Sequence, residues 1–73
     1  MVRDMQINRE ALIAIRERSG MNKSQLADAA GVDRTLVHRI ESGERNATPD
    51  VMRKLAEGLK VPVTALIGSD EAA

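Results

Sequence analysis

The sequence predicts an all-α domain of five short helices, on three observations. Apolar residues recur three and four apart, as in Leu12 with Ile15 and Leu55 with Leu59, and strand-type alternation is absent. Residues that start and stop helices punctuate the chain: Asn8 and Gly20, Asn22 and Gly31, Asp33 and Gly43, then Thr48-Pro49. With 73 residues and no internal repeats there is room for one small core only. Residues 1–7 show no sustained period and are expected to be a flexible arm, 8–68 the domain, and 69–73 a disordered tail.

In the first helix, Asn8 is a good N-cap and REALIAIRERS after it consists of strong helix formers. Ala11, Leu12 and Ile15 form its core-facing stripe, and Gly20 ends it. Arg16, four residues beyond Leu12, lies on that same stripe, so its charge needs a partner.

A relative of the capping box, Asn22 with Gln25, starts a second helix at Lys23. Leu26, Ala27 and Ala30 face inward, and Gly31 permits the positive φ of a sharp turn. Val32 follows as an apolar plug, and Asp33 caps the third helix, Arg34 to Ser42.

At about 100° per residue, Val37 and Ile40 set the buried direction of that helix. Thr35, His38, Arg39 and Ser42 gather on the opposite side, with Arg34 on one flank and Leu36, expected to pack at the boundary, on the other. Glu41 falls inward, near Val37. Since Arg16 is the other inward charge, an ion pair between them is expected to tie the first helix to the third.

Gly43 closes the third helix, and the residues ERNA read as a polar loop in which Glu44 turns away from the outward face of that helix. Thr48, Pro49 and Asp50 supply a cap, a proline at N1 and an acid in the first turn of a fourth helix. Its stripe is Val51, Met52, Leu55, Ala56 and Leu59, while Arg53, Lys54 and Lys60 read as a solvated face. Pro62 opens a fifth helix, PVTALI, ended by Gly68.

Composition excludes several functions. There is no cysteine and one histidine, so no thiolate metal site exists; neither metal nor cofactor is expected. No nucleophile–base constellation suggests an enzyme. No apolar run approaches the roughly 20 residues of a membrane span, and the N-terminus lacks a secretion signal's apolar stretch. A cytoplasmic protein is expected. The 11 Lys+Arg against 11 Asp+Glu argue against indiscriminate polyanion binding, although local arrangement decides the field. Without Phe, Tyr or Trp there is nothing on which to stack single-stranded bases. Specific binding to double-stranded DNA is not excluded by these counts.

Two helices joined around a glycine, with apolar plugs on either side, form the helix-turn-helix pattern. From Asn8 to Ile67 the chain resembles the phage repressor and Cro-type regulators, the XRE family, whose fold is the lambda-repressor-like DNA-binding domain. The resemblance is carried by Leu26-Ala27, Gly31-Val32, Val37, the run from Arg39 to Gly43, Pro49, Leu55-Ala56 and Leu59.

The resemblance implies DNA-phosphate contacts from Asn22 and Lys23, and from Ser42, Arg45 and Asn46 at the far end of the third helix. Lys23 stands where the family usually has Gln, a change expected to strengthen the contact and make it more salt-dependent. Base reading is implied for Arg34, Thr35 and Arg39. The family also pairs the positions of Arg16 and Glu41, as periodicity had independently suggested.

The chemistry fits these roles. Arg34 and Arg39 can each bind guanine O6 and N7 through two hydrogen bonds, and Thr35 can touch a base or a thymine methyl. His38 can meet a base edge or a phosphate with a charge that depends on pH. Against this, exposed arginines are commonly only solvated, Asn22 can serve as a cap alone, and His38 can be a lone surface residue.

The sequence-based expectation is a sequence-specific regulator, most simply a repressor, that binds as a homodimer at least on DNA and takes no small-molecule ligand. In the resembled family the final helix often forms a two-fold contact, and Val61, Val63, Leu66 and Ile67 are the apolar residues there. An antitoxin-like autoregulator paired with a toxin is one alternative, and a protein-interaction module on the same fold is another.

Overall fold

A computed structural model describes residues 7–67 of the chain. Its helices are α1 (Arg9–Arg18), α2 (Lys23–Ala30), α3 (Arg34–Ser42) and α4 (Pro49–Leu59), followed by a 3₁₀ turn at Val63–Leu66.

Side-chain caps set the helix starts. The Asn8 side chain accepts from Ala11 N–H at 3.2 Å, and Thr48 Oγ1 from Val51 N–H at 3.2 Å. Asn22 and Gln25 complete a reciprocal capping box, each side chain accepting from the other's backbone N–H at 2.8 Å. Such caps are each worth about 1 kcal/mol, a large fraction of what stabilises so small a domain. At its far end α4 stops on Lys60, which takes the left-handed conformation (φ 61°) usually left to glycine.

Leu12, Leu26, Val37, Ile40, Met52, Leu55 and Leu66 are fully buried and fill the core between the helices. The most extensive packing is between α2 and α4. It is close because α4 carries Gly58 at the crossing: a Cβ there would lie 2.9 Å from the backbone nitrogen of Ala30. Ala47, in the loop expected to be polar, is buried too.

Among the described residues there are therefore four α-helices, not five. After Pro62, the β-branched pair Val63-Thr64 and a run of four residues make one 3₁₀ turn, too short to close an α-helical ladder. Ile67 is already extended and pairs in an isolated antiparallel bridge with Ile7. The expected arm thus meets the described residues only at Ile7; the rest of it, Gly68 and the expected tail lie outside them.

Candidate nucleic-acid interface

Gly31 redirects the chain between α2 and α3. It takes φ 74°, and its N–H and that of Val32 both donate to the Ala27 carbonyl, at 2.8 and 3.0 Å. Val32 packs partly buried against the core, and the Asp33 side chain accepts from Thr35 N–H at 3.3 Å to open α3. A stopped helix, an anchored turn and a capped start hold α3 at a fixed angle to α2.

α3 is sharply two-sided. Val37 and Ile40 are 0% and 1% exposed, Leu36 packs partly buried at the margin, and Arg34, Thr35, His38, Arg39 and Ser42 are exposed. Glu41 lies on the buried side, where its Oε2 accepts from Arg16 Nε at 2.7 Å and its Oε1 from Nη2 at 3.1 Å. Arg16 Nη1 also donates to the Met21 carbonyl at 2.9 Å. This two-pronged bond fixes the rotation of α3 about its own axis, because a turned helix would leave a buried carboxylate without its partner.

The outward side chains are held by neighbours. Lys23 Nζ lies 3.3 Å from His38 Nδ1, so the start of α2 and the middle of α3 share one surface. An ammonium can only donate, so Nδ1 is the acceptor in this contact. Arg34 Nη1 donates to Ser24 Oγ at 3.3 Å. Arg39 Nε lies 3.9 Å from Glu44 Oε1, with the two side chains 50% and 63% exposed. Pairs this exposed contribute at most about 1 kcal/mol, so a ligand can replace them cheaply.

Asn22 is engaged as a cap and remains exposed beside Lys23. Ser42 Oγ donates to the Arg39 carbonyl at 3.1 Å. Arg45 and Asn46 are exposed in the loop after α3, at the rim of a cavity of about 500 Å³ that also reaches the start of α1. Glu44, expected to turn away, instead faces Arg39, because the loop folds back under backbone bonds from Glu44 and Arg45 N–H to the Arg39 carbonyl (2.9 and 3.3 Å). Ser24 joins this surface through Arg34, a contact that nothing in its sequence spacing signals. Among the described residues no His, Cys, Asp or Glu cluster could hold a metal ion, and no helix is long and apolar enough to cross a membrane.

Comparison with known proteins agrees with this geometry. A family described as helix-turn-helix matches residues 12–66. The transcriptional repressor RghR of Bacillus subtilis is 41% identical over 59 residues, covering 80% of this chain and 44% of RghR. The transcriptional regulator SutR of Escherichia coli is 34% identical over 59 residues, covering 81% of this chain and 33% of SutR. The chain spans less than half the length of these two curated relatives. Among solved structures, the restriction-modification controller protein C.AhdI of Aeromonas hydrophila aligns with a TM-score of 0.76 and 30% identity, over 78% of this chain and 86% of that one. The controller protein C.Esp1396I aligns with a TM-score of 0.72 and 31% identity, over 74% and 69%.

Proposed function

The chain belongs to the XRE-type helix-turn-helix family, and from that premise we propose that it binds double-stranded DNA by sequence and regulates transcription, acting as a repressor. One observation carries the proposal furthest: α3 presents Arg34, Thr35, His38 and Arg39 outward while Val37, Ile40 and the Arg16–Glu41 pair fix it from behind. A helix anchored in this way can lie in the major groove without reorganising, so little ordering entropy is lost on binding.

In that pose Arg34 and Arg39 read guanines, Thr35 meets a base or a thymine methyl, and His38 reaches a base edge. Asn22 and Lys23 hold a phosphate at one margin, while Ser42, Arg45 and Asn46 grip the backbone at the other. The contacts of Arg34, His38 and Arg39 with Ser24, Lys23 and Glu44 give way to these partners. The protein binds as a dimer on DNA, since two half-sites about one helical turn apart convert two weak contacts into a stable one. The partly buried Val61, Val63 and Ile67 are suited to the two-fold contact.

The alignment over 86% of C.AhdI favours a specific form of this role, control of restriction-modification genes. Selection of duplexes from a random pool, followed by electrophoretic shift, tests the proposal. Recovery of a two-fold symmetric site that the protein shifts and whose promoter it silences is the expected result. Failure to shift any duplex at low salt would overturn it in favour of a protein-interaction module. A toxin gene beside the chain's own gene would move the role towards an antitoxin.

A further inference from the structure

We propose that Arg9, at the start of α1 and outside the helix-turn-helix, binds a DNA phosphate together with Arg45 and Asn46 across the end of α3. This rests on α3 being the DNA-facing helix.

The Arg9 guanidinium lies directly over the Cα of Gly43, the residue that closes α3. A Cβ built on Gly43 would overlap Nη1 of Arg9 and come within 3.0 Å of its Cζ. Gly43 also sits at φ 88°, so the glycine both turns the chain out of α3 and leaves the space the guanidinium occupies. The ion pairs among the described residues engage Arg16, Arg39, Arg53 and Lys54, and none engages Arg9. Arg9 is exposed and borders the same cavity of about 500 Å³ as Arg45 and Asn46.

Two guanidinium groups and an amide on one concave surface match the donor needs of a phosphate. Glu10 and Glu44 also border the cavity, so its formal charge is balanced. A free anion gains little from such a site. A phosphate delivered by a duplex already held along α3 is a different case: its position is set by the other contacts, and Arg9 and Arg45 need only meet it. The ligand is therefore the DNA backbone, one or two linkages beyond the bases read by Arg39, and not inorganic phosphate.

Arg9→Gln and Arg9→Lys in the full chain, titrated against the selected duplex at several salt concentrations, test this assignment. Arg9→Gln should lower affinity several-fold on cognate and random duplexes alike, and reduce the slope of log K against log salt by about one unit. Arg9→Lys should keep the wild-type slope, and both variants should melt at the wild-type temperature. Methylphosphonate substitution, one linkage at a time, should reveal a phosphate whose neutralisation weakens the wild type but not Arg9→Gln, at or next to the linkage found in the same way with Arg45→Gln. An unchanged slope in Arg9→Gln, or an equal loss in Arg9→Lys, would overturn the role of Arg9 alone. A wild-type chain that shifts no duplex would overturn the DNA-binding function beneath it.

Discussion

Arg16 and Glu41 meet edge to edge through two parallel hydrogen bonds, and their side chains are only 10% and 3% exposed. Because Arg16 also holds the Met21 carbonyl, one guanidinium joins α1, the turn after it and the buried side of α3. Removing either partner leaves a buried charge uncompensated, at a cost of about 3–5 kcal/mol. Arg16→Ala and Glu41→Ala should each lower the urea midpoint by a corresponding amount, while the double replacement Arg16→Met, Glu41→Leu should lose much less. Single variants that unfold like the wild type would show that the pair does not contribute to stability.

Gly58 lets α4 lie on the last turn of α2, and a methyl group there would approach Ala30 N at 2.9 Å and Ala29 C at 3.1 Å. An alanine gains about 1 kcal/mol of helix propensity, but overpacking against backbone atoms costs about 1–3 kcal/mol. Gly58→Ala should therefore lower the melting temperature. A rise would mean that α4 can slide off α2 without loss.

Arg39 is held loosely by Glu44 at 3.9 Å and is free to exchange that partner for a base. Arg39→Ala should cost about 1–3 kcal/mol on the selected site and relax its preference at one base pair. An equal loss on every sequence would move Arg39 to the backbone contacts. Glu44→Gln should raise affinity by no more than about five-fold, the worth of an exposed pair, and should raise it on random duplexes as well.

Lys23 and His38 face each other at 3.3 Å, on one surface. Lys23→Gln should lower affinity for all sequences and reduce the salt slope by about one unit. His38→Ala should lower affinity for the selected duplex and relax its preference at one base pair, and an unchanged affinity would remove His38 from the interface.

What could be read in advance was local. Asn8, Asn22, Asp33 and Thr48 announce helix starts because capping is chemistry within three residues. Arg16 and Glu41 could be matched because each stood out as a charge on an apolar stripe. The stop of α4 was hidden, since Lys60 takes a conformation its residue type does not advertise. The segment from Pro62 to Ile67 reads as a helix in the sequence because a 3₁₀ turn buries Leu66 through the same apolar content an α-helix would use. The contacts of His38 with Lys23 and of Arg34 with Ser24, and the seat of Arg9 on Gly43, join different elements and follow only from the angles between them.

Ile7 and Ile67 run side by side in opposite directions, and Asn8 N–H donates to the Leu66 carbonyl at 2.7 Å. The described residues thus begin and finish side by side. A short linker could join those points, and the chain could be reopened between α1 and α2, so that synthesis ran α2, α3, α4, the 3₁₀ turn and then α1. The brace from Arg16 to Glu41 would then join the last helix made to the second, around the same buried side chains.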